Sequence, residues 1–184
     1  MEKLMELNEV KVRKHNKNGG GAKTTENGLE FERASSFRMI LEKNGYLIED
    51  YKIYKDGVEV GKMCNKHKLY TKFFTKDEVK KADISSELLP DEAVMLTDKK
   101  IAYIFENKFQ TTTGSADEKI QTADFKNKTF KKLFAVCGYE VKYIYILSDW
   151  FKRDKYRDML DYIKSVGCEY YFNEVPISRI ENNA

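Results

Sequence analysis

The sequence has no long apolar run. No window of its 184 residues holds the roughly 18 consecutive apolar residues that a membrane span requires, and the opening MEKLMELNEVKVRKHNK has no apolar core of the kind a secretory signal carries. Both absences lead us to expect a cytoplasmic protein without membrane contact. Cysteine is scarce as well. Cys64, Cys137 and Cys168 are an odd number at wide spacings, which speaks against a disulfide framework and for reduced thiols. The segment CNKH puts Cys64 and His67 at zinc-like spacing, but structural zinc takes its ligands as two close pairs, and Cys137 with Cys168 makes no second pair. Nor is there a large excess of one charge sign: 33 Lys and Arg against 30 Asp and Glu leave +3, which by itself names no partner. Distribution says more. Lysines gather in KVRKHNK, GKMCNKHKLYTK and KNKTFKK, three places suited to phosphate or, read more plainly, three solvated faces.

What the chain does have is a globular balance, 41% hydrophobic and 34% charged, with enough aromatics to argue against disorder. At this length it predicts one domain with a real core. Residues 16–28, NKNGGGAKTTENG, read as a mobile loop, so a flexible arm is expected over 1–27, a core over 28–175 and a fraying tail over 176–184. GLEFERASSFRMILEKNG reads as one helix, with Leu29, Phe37, Ile40 and Leu41 at helical spacing and a stop at Asn44-Gly45. YLIEDYKIY reads as one strand, followed by a KDG turn into VEVGKM. From Cys64 to Leu89 the pattern is weak, apart from a Thr75/Glu78 capping box.

EAVMLT and KIAYIFENK form an expected hairpin across DKK. A second capping box, Ser115 with Glu118, opens a helix that runs to Cys137-Gly138. EVKYIYILSD is a central strand, WFKRDKYRDMLDYIKSVG a helix and CEYYFNEV the last strand. This order predicts an α/β fold, a mixed sheet with helices on its faces.

The second strand of the hairpin carries the chemistry. Ile101, Tyr103 and Phe105 fill one face, while Glu106 and Lys108, two apart, share the other. Asp91, after Pro90, starts the preceding strand, so pairing brings the three together. In the first helix, positions 30, 34, 37 and 41 share a stripe with Ala34, Phe37 and Leu41, which points Glu30 from the buried side and groups Glu32 with Ser36 and Lys43. A carboxylate on an apolar face needs a partner. Clustered carboxylates suit a hard divalent cation such as Mg²⁺, which relieves their mutual repulsion, and a neighbouring lysine orients water or steadies charge on phosphate. The plainer alternative is a same-face ion pair at a solvated strand end.

PDEAVMLTDKKIAYIFENK, with Pro90-Asp91 followed by Glu106-Asn107-Lys108, resembles the signature hairpin of the PD-(D/E)XK nucleases, and FENKFQTTTGSADEKIQT looks most like their type II restriction endonucleases. The resemblance covers roughly residues 28–150. It implies a restriction endonuclease-like mixed β-sheet core flanked by helices, with Asp91, Glu106 and the Asn107 carbonyl as Mg²⁺ ligands. Lys108 would position the attacking water. Glu30 would be the helix-borne acid, with Glu32 competing for that place. It further implies hydrolysis of double-stranded DNA at a short specific sequence, a homodimer if that sequence is palindromic, and a companion DNA methyltransferase of a restriction system.

Residues expected to meet DNA are Asn65, Lys66, His67 and Lys68 in the irregular segment, Lys23 in the glycine-rich one and Gln110 beyond Lys108. Ser115 and Lys119 in GSADEK join them as a phosphate anchor, although a capping box needs no functional reason. Two alternatives stand beside this reading. One is a Holliday junction resolvase or repair nuclease of the same fold, since FERASSFRMILEKNGY resembles the opening helix of archaeal resolvases. The other is a non-catalytic DNA-binding protein on a nuclease scaffold.

Overall fold

The computed structural model describes residues 20–111 and 115–182, with the side chains of 20–25 and 116 left aside; residues 1–19, 112–114 and 183–184 lie outside the described residues. Seven strands form one mixed sheet in chain order: β1 (Tyr46–Glu49), β2 (Lys52–Lys55), β3 (Val58–Cys64), β4 (Glu92–Leu96), β5 (Ile101–Lys108), β6 (Glu140–Leu147) and β7 (Glu169–Phe172). The first five run antiparallel; short turns join β1 to β2, β2 to β3 and β4 to β5, while residues 65–91, which include two short helical segments, link β3 to β4. At the Asp56-Gly57 turn both residues have positive φ, 51° and 80°, as a two-residue hairpin turn matched to strand twist requires. The last three strands are parallel. Parallel neighbours need long crossovers, here α4 (Ala116–Ile120) with α5 (Ala123–Ala135), and then α6 (Arg157–Ser165).

The two faces of the sheet bury separate clusters. On one, Ala102 and Ile104 of β5 and Tyr143, Tyr145 and Leu147 of β6 pack with Phe130, Leu133 and Phe134 of α5. On the other, Ile101, Tyr103, Phe105, Ile144 and Ile146 meet Phe37, Ile40 and Leu41 of α2 (Phe37–Lys43). Strand alternation therefore sends Glu106 toward α5 and Asn107 toward α2. The expected mixed α/β sheet with helices on both faces is present. Among the described residues no helix is long and apolar enough to cross a membrane.

The structure departs from the sequence reading at several boundaries, each with a local cause. Part of the expected mobile arm is helical: α1 spans Gly20–Ala34. Phe31 packs on Phe109 with ring centroids 5.3 Å apart, and a helix already nucleated there propagates more easily than it starts. The long helix expected from 28 to 45 is broken at Ser35-Ser36. Ser35 Oγ lies 2.7 Å from Phe31 O and 2.8 Å from Asn107 Oδ1, with its one hydrogen shared between the two acceptors. Next to it the Glu92 carboxylate accepts from Ser36 Oγ at 2.5 Å and from the Phe37 N–H at 2.6 Å, starting α2 in a new phase.

YLIEDYKIY is a hairpin rather than one strand, turning at Asp50-Tyr51, with Asp50 at φ 56°. The Thr75/Glu78 capping box forms in full at the start of α3 (Lys76–Ala82), but Ser115 makes no side-chain cap. Ser115 sits at φ −95°, ψ 14° rather than in the extended conformation a cap uses, and the Glu118 N–H goes to Asp117 Oδ1 at 3.1 Å. The helix then breaks between α4 and α5, where Thr122 Oγ1 takes the Lys119 carbonyl at 2.7 Å and the Tyr162 hydroxyl donates to Gln121 O at 3.0 Å. The helix expected from Trp150 begins only at Arg157, after two 3₁₀ turns at Asp149–Lys152 and Asp154–Tyr156. The tail does not fray up to residue 182. Ser178–Glu181 form α7, Ile180 is buried, and Arg179 pairs with Glu169.

Candidate functional site

The β4–β5 hairpin builds the site. Pairing sets Glu92 opposite Phe105, so Asp91 stands beside the charged end of β5. Asp91 Oδ2 accepts the Asn107 backbone N–H at 2.8 Å, which fixes the carboxylate against the strand. Glu106 Oε1 receives the Lys108 ammonium at 2.7 Å, and Lys108 also donates to the Asn107 carbonyl at 3.0 Å. These are not solvated strand-end charges, because Glu106 is buried and Lys108 nearly so. A second ammonium, Lys126 of α5, reaches the same Glu106 oxygen at 2.7 Å. Behind them the Tyr143 hydroxyl lies 3.4 Å from Glu106 Oε2.

The two carboxylates differ in electrostatic character. Burial works to raise the Glu106 carboxyl, but the charges and hydrogen bonds of Lys108 and Lys126 outweigh it and hold its pKa below the ordinary value. Asp91 goes the other way. Burial, and then the charge of Glu106, lift its pKa above the ordinary value, against the Asn107 N–H and the charge of Lys108. Glu32 adds a smaller push in the same direction.

That last influence bears on the helix-borne acid. Glu30 is exposed, contrary to the expected inward stripe, and Ala34 of that stripe is exposed too. The break at Ser35-Ser36 separates α1 from α2, so positions 30 and 34 do not continue the face of 37 and 41. Glu32, half-buried, lines one pocket with Lys108 and Asn107 and another with Asp91 and Asn107. The structure thus brings Glu32 to Asp91, and not Glu30.

The residues expected to meet DNA divide. Asn65 and Lys66 border the pocket that holds Asp91, because the Lys66 N–H is tied to the Pro90 carbonyl at 2.9 Å. Lys119 borders the pocket that holds Lys108. His67 is exposed, 3.8 Å from Glu87, and Lys68 lines a different pocket with Arg38, Asp50 and Lys72. Gln110 is buried and exchanges backbone hydrogen bonds with Ser148 Oγ. Ser115 is exposed and starts a helix of only five residues, too short for an anion site, which leaves Lys119 alone of that pair. Lys23 is on the first turn of α1, and its side chain lies outside the described residues.

Lys126 and Glu92 were missed from sequence. Within KNKTFKK, read as a phosphate contact or a solvated face, Lys126 sits three after Ala123 and four before Phe130, which is the spacing of the buried face. Glu92 stands next to Asp91, and burial raises its pKa even though Ser36 and Phe37 bond it.

Asp91, Glu106 and the Asn107 carbonyl supply hard oxygen donors of the sort Mg²⁺ takes, one or two carboxylates with water completing the shell. Burial, and after it the negative charge of Glu106, raises Asp91, and a divalent cation held by these oxygens would relieve the second of the two. A cage of three acidic side chains is not formed. Among the described residues no group of three or more His, Cys, Asp or Glu converges on a metal position, at the zinc-like Cys64/His67 pair included, and all three cysteines are free. No family model, curated protein or solved structure matches the chain.

Proposed function

We propose that the chain is a Mg²⁺-dependent nuclease of the PD-(D/E)XK kind that hydrolyses phosphodiester bonds in double-stranded DNA, acting as a type II restriction endonuclease. The observation that carries the reading is the buried Glu106–Lys108 pair at 2.7 Å, set beside an Asp91 that is locked to the Asn107 N–H across the hairpin. An E-x-K pair at random would be solvated and would have no second carboxylate placed against it. When bound, Mg²⁺ supplies charge neutralisation at the scissile phosphate and lowers the pKa of water. Asp91, Glu106 and the Asn107 carbonyl would hold it. Lys108, held between Glu106 and Asn107, would orient a water for in-line attack and steady negative charge on the phosphoryl oxygens.

Lys66, Lys119 and Asn65 flank this point and would take the phosphates on either side, which makes binding strongly salt-dependent. With one site per chain, a palindromic target calls for a homodimer, and self-protection calls for a companion methyltransferase.

One observation favours the rival of a DNA-binding protein without catalysis: Glu106 is already neutralised by two ammonium groups. Digestion of a mapped plasmid with and without Mg²⁺ separates the readings. Discrete fragments that vanish with Glu106→Ala and with Lys108→Ala support the endonuclease. Binding without cutting supports the rival, and cutting of four-way junctions but not linear duplex supports a resolvase of the same fold.

A further inference from the structure

We propose that an aromatic pocket next to the candidate site binds an unpaired base of the DNA strand. This rests on the nuclease reading for the identity of the polymer, and on independent geometry for the site. The pocket, about 470 Å³, lies within the roughly 300–1,000 Å³ of small-molecule sites. Its walls include Phe31, Phe109, Trp150 and Arg153, with Ser148 and Asn173 at the edge. Ser148 and Asn173 directly follow β6 and β7, so the pocket opens at the carboxyl ends of the parallel strands, where open α/β sheets take ligands.

Continuity with the site comes from shared walls. Phe31 and Phe109 also line the neighbouring pocket that contains Lys108 and Lys119, and that pocket shares Glu32 and Asn107 with the one containing Asp91. A strand with its phosphate at Lys108 therefore lies beside an aromatic cavity that shares the Phe31 and Phe109 walls.

The chemistry of the walls selects a base. The Arg153 guanidinium lies 3.5 Å from the centre of the Trp150 ring, and the indole N–H is fixed by the Tyr156 hydroxyl at 2.6 Å. A flat cation stacked on an indole presents a second planar face, and unstacked bases are held by aromatic rings and by arginine planes of this type. Arg153 lines the pocket, Lys152 and Lys155 are exposed on the same segment with Asp154 between them, Lys155 lies 5.7 Å from the Trp150 ring, and the one wall acid, Asp149, is matched by Lys152 at 2.8 Å and Asn173 at 2.8 Å. A neutral aromatic ring with a phosphate on either side complements this surface. The two 3₁₀ turns that replace the expected helix start bring Trp150 and Arg153 together here.

Trp150 is the only tryptophan of the chain and so reports directly on the pocket. In EDTA, the full protein would be titrated with an oligothymidylate of about eight nucleotides, a length within single-strand site sizes, and with an abasic phosphodiester of equal length. Base stacking predicts saturable quenching of Trp150 by the first, and binding by the second that is on the order of tenfold weaker and without quenching. Phe109→Ala should weaken the oligothymidylate, read by anisotropy, and leave the abasic strand unchanged, whereas Arg153→Ala should weaken the oligothymidylate by the larger factor, since it removes a stacking plane as well as a charge. Equal affinity for the two strands, or binding of neither, overturns the proposal, and the wild-type comparison decides even if a variant folds poorly. Mg²⁺-dependent cleavage without base selectivity would sink the pocket and spare the nuclease. Base selectivity without any cleavage would do the reverse.

Discussion

Lys126 of α5 donates to Glu106 Oε1 at 2.7 Å, the same oxygen and the same distance at which Lys108 of β5 sits. Two ammonium groups already neutralise this buried carboxylate, so under the nuclease reading a divalent cation has to displace at least one of them. Lys126 then competes with that cation. Replacing it by Met should tighten Mn²⁺ binding to the DNA-free protein several-fold, measured by titration against the metal's electron paramagnetic signal, while Lys126→Arg stays near wild type. Without metal, Lys126→Met should cost roughly 1.5–3 kcal/mol of stability, the worth of one hydrogen bond to a charged group. An unchanged Mn²⁺ affinity would show that Lys126 is only a surface anchor.

Asp91 gives a pH signature of opposite sign to Glu106. Its folded pKa is raised by burial and by Glu106, so between the unfolded and folded values the native state holds the extra proton and stability falls as pH rises through that window. Asp91→Asn keeps an acceptor for the Asn107 N–H and removes the buried charge. It should melt higher than wild type at neutral pH and match it at acid pH, and, under the nuclease reading, it should lose cleavage and any rise in melting temperature that Mg²⁺ produces in the wild type. Glu106, whose folded pKa is lowered, contributes stability above its unfolded pKa that disappears as pH falls through the folded one. Glu106→Gln should therefore melt lower at neutral pH, with the gap closing in acid. Thermal melts from pH 3 to 8 test both.

Glu92 is expected to matter for the fold more than for chemistry. Its carboxylate takes the Phe37 N–H and the Ser36 hydroxyl, the first donors of α2. Glu92→Ala leaves those groups part-buried without their acceptor and should cost roughly 2–3 kcal/mol in urea unfolding. Glu92→Gln, which keeps an acceptor, should cost clearly less, since burial already raises the Glu92 pKa. Equal losses would mean that the negative charge, not the hydrogen bonds, starts the helix.

The placement of the hairpin residues was legible because it depends on short-range rules. Alternation along β5 sends 101, 103 and 105 one way and 106 and 108 the other, and strand pairing brings Asp91 alongside. What could not be read was set by groups far apart in the chain. Ser35 is capped off by Asn107, 72 residues away, and α2 is started by Glu92, 55 residues from Phe37. Neither bond leaves a local trace, so the apolar spacing of 34, 37 and 41 reads as one helix although the chain breaks at Ser35-Ser36. Trp150 and Arg153 were hidden likewise, since a helical pattern that begins at Arg157 was extended back over two tighter turns.

The broken stripe also decides which acid on α1 takes part, and mutation separates the candidates. Glu30 is exposed and lines none of the pockets that hold Asp91, Asn107 or Lys108. Glu32 lines both, and its charge reaches Asp91. Glu30→Ala should leave stability within about 0.5 kcal/mol of wild type, as surface changes do, with cleavage unaltered. Glu32→Ala should lower the Asp91 pKa slightly by removing a like charge, and should reduce cleavage about tenfold or more if Glu32 orders the water shell of the cation, an effect of roughly 1.4 kcal/mol. Cleavage rates at saturating Mg²⁺ for the two variants make the test. Loss of activity in Glu30→Ala with none in Glu32→Ala would mean that α1 turns on binding DNA and restores the phase first drawn from the sequence.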